Sequence, residues 1–248
     1  MKWVVSYLLI DNSNTRTKFV LSEPDRLLET RIVIPTREIN EERLTRELGH
    51  LRYDYAVFSS VVPRVSELLA DWLPRPYHMV TWQSNLGVGI DYPLPRQIGA
   101  DRLVNAAGAV AFYRAPAIVV DFGTAVTFDV VSRETGYKGG AIAPGLASMG
   151  DYLARNTALL PAIDPHEPKY AIGRSTEEAM HSGAVYGYRG LVKEILECLE
   201  KEMDGVPIVI ATGGDAELIA QGVPRIDHVD PLLTLNGLRV IAGLNPPA

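Results

Sequence analysis

Residues 117–131 read AIVVDFGTAVTFDVV. The β-branched run Ile118–Val120 leads into Asp121-Phe122-Gly123-Thr124, and Val126–Val131 leaves it. That pattern predicts two strands joined by a tight turn with a carboxylate and a hydroxyl at its tip. Gly123 would let the backbone take a positive φ and approach a ligand closely, while both strands supply a rigid mount. Such a tip suits a phosphate or a bound metal. The same phrase stands near the N-terminus, where Val4–Ile10, VVSYLLI, runs into Asp11-Asn12-Ser13-Asn14-Thr15 and leaves through Thr17–Leu21. Asp11, Ser13 and Thr17 occupy the offsets of Asp121, Gly123 and Thr127. One copy alone is ordinary turn chemistry; two predict related half-domains facing each other across a cleft.

The 248 residues are 47% apolar and 22% charged, which fits one globular domain or two small ones with a substantial core. A net charge of −6, with no dense Lys/Arg tract, argues against a nucleic-acid surface. Lys2 is followed by a short apolar run broken by Ser6, which reads as a first strand rather than a secretory signal. No apolar segment approaches the roughly 20 residues that span a bilayer, so the expectation is a cytoplasmic protein without a membrane partner. Cys198 is the single cysteine, which excludes an internal disulfide and argues against a cysteine-based zinc site. The five histidines, His50, His78, His166, His181 and His228, show no paired ligand spacing.

In chain order, Thr17–Leu21 and Arg26–Ile34 extend the first strand to three antiparallel ones. Thr36–Leu48 reads as a helix, Asp54–Val62 as a buried strand, Pro63–Leu73 as a helix opened by proline, and Tyr77–Thr81 as a short strand. This β-β-β-α-β-α-β order is the layout of the actin-like nucleotide-binding fold. Asn85–Gly99 is too rich in glycine and proline for regular structure and carries Tyr92. Gly99-Ala100-Asp101-Arg102 opens a helix to about Tyr113, where Asp101 has a plain explanation in capping and the helix dipole. Beyond the second Asp tip, the glycine-rich strand and turn Tyr137–Gly145 feeds a helix from Leu146 to about Leu159 whose first N–H groups can hold anionic oxygens. Ser175 or Thr176 caps a long helix to Met203, along which Met180, Ala184, Tyr188, Leu191, Ile195 and Leu199 form an apolar stripe for core or subunit contact. A buried strand over 206–211 ends in Thr212-Gly213-Gly214-Asp215, where glycine leaves room for a base or phosphate. A helix from Pro231 to about Ala242 closes the chain.

Taken together, DNSNTRTK at Asp11–Lys18, GADR at Gly99–Arg102, DFGTAVTFD at Asp121–Asp129, GGAIAPG at Gly139–Gly145 and TGGD at Thr212–Asp215 resemble the type III pantothenate kinases. The resemblance spans nearly the whole chain. It implies an α/β, actin-like (ribonuclease H-like) duplicated fold of two half-domains with mixed sheets flanked by helices, divided as 1–115 and 116–248. It implies ATP-dependent phosphorylation of pantothenate, the first step of coenzyme A biosynthesis, in a homodimer with composite active sites. Carried over by residue, it gives Asp11, Asn12, Ser13, Asn14, Thr15, Arg16, Thr17 and Lys18 to the ATP phosphates, with Asp11 near Mg²⁺ through water. Thr124 becomes a second ATP contact and Asp121 a ligand of K⁺ or NH₄⁺. Asp101 becomes the general base, and Tyr92, Gly99, Ala100, Asp101, Arg102 and Thr176 become pantothenate contacts.

One position departs from the family's D-x-G-N-T loop, because Ser13 stands where glycine is expected. If that glycine serves a positive φ, Ser13 carries strain of about 1 kcal/mol and ATP binding suffers. This departure keeps two alternatives in view: a non-catalytic nucleotide-binding regulatory homologue, and another small-molecule kinase on the same fold.

Overall fold

The computed structural model describes residues 5–247. The start of the first expected strand at Val4 and the N-terminal reading around Lys2 lie outside the described residues. The chain forms two units: the first runs to Arg114, takes in Thr135–Tyr137 and resumes at Leu232, and the second comprises Ala115–Glu134 and Lys138–Pro231. A single division at residue 115 therefore meets two later returns of the chain to the first unit.

The first unit is built on strands β1 (Tyr7–Asn12), β2 (Arg16–Ser22), β3 (Leu27–Pro35), β4 (Tyr55–Ser60) and β5 (Tyr77–Met79), in the order β3-β2-β1-β4-β5. β2 is antiparallel to β1 and β3, while β4 runs parallel to β1 and β5 parallel to β4. Side chains alternate along a strand, and β1 uses both faces. Leu8 and Ile10 pack with Leu44 and Leu48 of α1 (Glu41–Leu48) and with Val65 and Leu69 of α2 (Pro63–Trp72). Tyr7 and Leu9 pack with Leu103 and Ala107 of α3 (Ala100–Phe112) and with Leu238 and Ile241 of the last helix, Leu233–Leu244. The next side chain in that alternation is Asp11, so the strand carries it on the α3 face. Packing of the last helix on α3 explains why the C-terminus belongs to the first unit: Thr234 Oγ1 donates to Asn105 Oδ1 at 2.8 Å across the contact.

The second unit repeats the plan. Strands β6 (Ala117–Phe122), β7 (Ala125–Ser132), β8 (Gly136–Pro144), β9 (Ile208–Gly213) and β10 (His228–Val229) lie in the order β10-β9-β6-β7-β8, with β7 antiparallel and β9 parallel to β6. Counted from its own first strand, each sheet is ordered third, second, first, fourth, fifth. Helices α4 (Leu146–Asn156), α5 (Thr176–Lys201) and α6 (Ala216–Ala220) belong to this unit, and the final helix becomes α7. Tyr188 of the α5 stripe is fully buried, and Ala184, Leu191, Ile195 and Leu199 pack against the same core as Phe122, Phe128 and Val209. Ser175, not Thr176, is the N-cap: its Oγ accepts from Glu178 N at 3.1 Å.

Two expected elements differ. The helix read from Thr36 is a single 3₁₀ turn, Thr36–Glu38, followed by extended Ile39 and an α-helix capped by Asn40, whose side chain accepts from Arg43 N at 2.8 Å. The cause is tertiary, because Arg64 donates to the carbonyls of Thr36 at 3.1 Å and Ile39 at 2.9 Å and so satisfies them outside a helix. The helix read to Leu159 stops at Asn156, where Thr157 turns extended and its hydroxyl donates to Leu153 O at 2.9 Å. Among the described residues no helix is long and apolar enough to cross a membrane.

Candidate active site

In the first unit, the loop between β1 and β2 is held from beneath by a directed chain of hydrogen bonds. Ser60 Oγ donates to Asn12 Oδ1 at 2.6 Å, and Asn12 Nδ2 donates to Thr17 Oγ1 at 2.6 Å. Thr36 has one hydroxyl proton and gives it to Ser13 O at 2.7 Å, so Thr17 must be the donor in the 3.0 Å contact between the two threonine hydroxyls. Asn12 and Thr17 are thus buried and occupied in fixing the loop, whereas Asn14, Thr15 and Arg16 are exposed and Ser13 is half-exposed. The expected strain at Ser13 is absent: among the described residues Arg114 alone is a non-glycine with positive φ. Gly123 also lacks a positive φ, and a Cβ there would meet nothing closer than Ala125 O at 3.4 Å. Neither tip needs glycine for its backbone, which removes backbone strain at Ser13 as a ground for weak ATP binding.

Asp11 closes this corner. It is 3% exposed, and Lys18, directly across on β2, donates to its Oδ2 at 3.0 Å. Asp101 sits in the first turn of α3, and its Oδ1 accepts from Arg102 N at 2.8 Å. Burial pushes the Asp101 carboxyl above the usual aspartate value. The Arg102 N–H works against that shift, the negative charge of Asp11 adds to it, and the Arg102 guanidinium opposes it more weakly. Gly99 is shaped for this carboxylate, since a Cβ on it would stand 2.5 Å from Asp101 Oδ1. Ala100 opens the helix, and the Arg102 guanidinium carbon lies 5.7 Å from the centre of the Tyr137 ring, which also has Tyr92 at 6.1 Å. The first unit therefore gathers Asp11, Lys18 and Asp101 by charge, and Arg102 and Tyr92 through a shared aromatic neighbour. Tyr137 was not among the residues singled out from the sequence, where it reads only as the start of a glycine-rich strand.

In the second unit three turns meet. Thr124 O accepts from Gly145 N and from Ser148 Oγ, each at 3.0 Å, which ties the β6–β7 tip to the start of α4. Gly214 N donates to Phe122 O at 2.9 Å, and Gly213 has φ +94° with its α-carbon so close that a Cβ would strike the Phe122 backbone. Asp121 stands between Thr127 on β7 and Thr212 on β9, directly opposite each. Burial and the charge of Asp164 raise the Asp215 carboxyl above its usual value. Thr176, at the first position of α5, lines an apolar cavity of about 810 Å³ together with Met149, Tyr152, Leu153 and Met180.

The hairpins are not identical in register. Thr17 faces Asn12, whereas Thr127 faces Asp121, so the second tip is one residue tighter. A one-residue slip reverses the face of every side chain on the return strand. Lys18 consequently takes the place beside Asp11 that Thr127 takes beside Asp121.

Solved structures share this architecture. A protein from Campylobacter jejuni described as a Baf family transcriptional activator matches with a TM-score of 0.65 at 18% identity, covering 95% of this chain and 97% of that one. A protein from Cytophaga hutchinsonii described as a sugar kinase matches with a TM-score of 0.52 at 17% identity over 96% and 99%. At such identities the likeness concerns the fold alone, which is the duplicated actin-like fold. The chain belongs to the type III pantothenate kinase family: the family's model matches residues 7–198. A type III pantothenate kinase from Akkermansia muciniphila is 68% identical over 241 residues, covering 97% of this chain and 100% of the relative.

The electrostatics of the Asp11–Asp101 corner can be read directly. In a carboxyl-carbon NMR titration of the ligand-free protein, Asp101 is expected to titrate above the ordinary aspartate range, and Asp11→Asn is expected to lower its midpoint by removing the neighbouring negative charge. An Asp101 midpoint at or below the ordinary value in the wild type would contradict the assignment.

Proposed function

We propose that the chain transfers the γ-phosphoryl group of ATP to pantothenate, giving 4'-phosphopantothenate and opening coenzyme A biosynthesis, with Asp101 as general base. The observation that carries the role of Asp101 is its desolvated carboxylate, oriented by the Arg102 N–H at the start of α3. Phosphoryl transfer passes through a loose transition state, so the protein aligns donor and acceptor and neutralises charge. The acceptor is a primary alcohol whose proton leaves late, and a carboxylate with a raised pKa is better matched to receive it than an ordinary one. Arg102 anchors an anionic oxygen of the substrate, with Tyr92, Gly99, Ala100 and Thr176 as further contacts.

The loop 13–16 and Lys18 hold the ATP phosphates, with Asn12 and Thr17 fixing the loop and Thr124 adding a second contact. Mg²⁺ bound with the nucleotide would supply positive charge to the phosphates, with Asp11 as the residue that would face it. Among the described residues no group of three His, Cys, Asp or Glu side chains could cage a metal, a donor set suited to an ion held largely by phosphate and water. Asp11, whose Oδ2 accepts from Lys18, would hold such an ion through water. Asp121, flanked in register by the hydroxyl-bearing Thr127 and Thr212, fits a hard monovalent cation, K⁺ or NH₄⁺. A homodimer with composite sites is supported by the apolar cavity lined by Thr176, on whose rim Tyr152 is 66% exposed. A cytoplasmic setting fits this chemistry, since ATP is its co-substrate.

Asp101→Asn is expected to lower kcat roughly 10²-fold or more while the thermal melt stays cooperative. A folded variant with wild-type turnover would remove Asp101 from the role. Turnover is expected to need K⁺ or NH₄⁺, and equal rates in Na⁺-only and K⁺ buffers would count against Asp121 as the cation ligand. Sedimentation should give twice the chain mass, and a monomer at micromolar concentration would contradict the composite site.

A further inference from the structure

Tyr137 is fully buried, and its backbone is fixed independently of its ring. Its N–H donates to Gly89 O at 2.9 Å, its carbonyl accepts from Asp91 N at 2.8 Å, and Thr135 Oγ1 donates to Asp91 Oδ2 at 3.0 Å. Gly136, at φ +90°, allows this approach because a Cβ there would strike the carbonyl of Gly89. On this mount the ring meets two side chains remote from it in sequence. The Arg102 guanidinium carbon lies 5.7 Å from the ring centre, and the Tyr92 ring packs at 6.1 Å with an interplanar angle of 59°. These are two of the side chains assigned above to pantothenate, and Arg102 adjoins the general base.

We propose that Tyr137 is a positioning residue for the acceptor substrate: its electron-rich face holds the Arg102 guanidinium, and its edge packs Tyr92, before pantothenate arrives. A cation over an aromatic face is attracted by the ring quadrupole, most strongly where water is excluded. Arginine held in this way has lost its rotamer freedom in advance, which lowers the entropy that binding must supply. Tyr137 touches no reacting atom, so its influence falls on the affinity for pantothenate and not on the phosphoryl-transfer step. The inference rests on the reading that Arg102 binds pantothenate.

The test compares steady-state kinetics of Tyr137→Phe, Tyr137→Leu, Arg102→Gln and a protein with pentafluorophenylalanine incorporated at position 137, each checked by thermal melt. The fluorinated ring keeps the ring shape with a modest gain in size and inverts the charge of the face, so, with the Arg102→Gln background controlling for size, it decides the matter even if Tyr137→Leu does not fold. Relative to Tyr137→Phe, which equally lacks the hydroxyl, the fluorinated protein is expected to raise the KM for pantothenate about 3- to 10-fold with kcat and the KM for ATP little changed. On an Arg102→Gln background the fluorinated ring is expected to add nothing, because the partner is gone. Equal KM values for the phenyl and fluorinated rings, or the same increase with and without Arg102, would overturn the inference. Arg102→Gln with an unchanged KM for pantothenate would instead refute the underlying assignment of Arg102.

Discussion

Of the two carboxylates in the corner where β1 meets α3, Asp11 is neutralised by an ammonium and Asp101 is desolvated instead. Strand alternation fixes Asp11 on the face that packs against α3, and Lys18 reaches it from the neighbouring strand at 3.0 Å. Asp101, at the first turn of that helix, is pushed upward by burial and by the charge of Asp11, against the weaker pull of Arg102. A carboxylate that holds its proton more readily than usual is what abstraction from an alcohol calls for. The packing that buries Leu9 against Leu103 and Ala107 is therefore the same packing that sets the surroundings of the proposed base.

The two units reach similar tips by one topology and then diverge by one residue. Parallel return strands β4 and β9 run alongside β1 and β6 in both sheets, which leaves each first strand central, buried and ending at a loop. Tightening the second hairpin by one residue exchanges the cation beside the carboxylate for a hydroxyl. Lys18 gives the first tip a fixed positive charge, whereas in the second Asp121 has a threonine opposite it on each neighbouring strand. A small change in turn length thus gives two tips that begin from one sequence phrase different charged surroundings.

Much of this was legible in the sequence, because it follows from local rules. The Asp-bearing tips lie at the ends of apolar runs, proline opens α2 at its first position, and the order of elements specifies the actin-like plan. What could not be read depends on distant partners. Arg64 keeps Thr36 and Ile39 out of the helix that their periodicity favours. The Thr17–Thr36–Ser13 relay shows why serine is tolerated at the tip, although comparison with the family's loop predicts strain there. Tyr137 faces Arg102 only because two glycines, Gly89 and Gly136, let their backbones touch, and no spacing in the chain announces that contact.

The chain is an enzyme in which an acceptor alcohol, and not water or nothing at all, receives the phosphoryl group. ADP release by the purified wild-type protein, followed in Mg²⁺, K⁺ and ATP with and without pantothenate, tests this most directly. ADP should form when pantothenate is present and stay near background when it is omitted. ADP formed at the same rate in both mixtures, or in neither, would contradict the assignment.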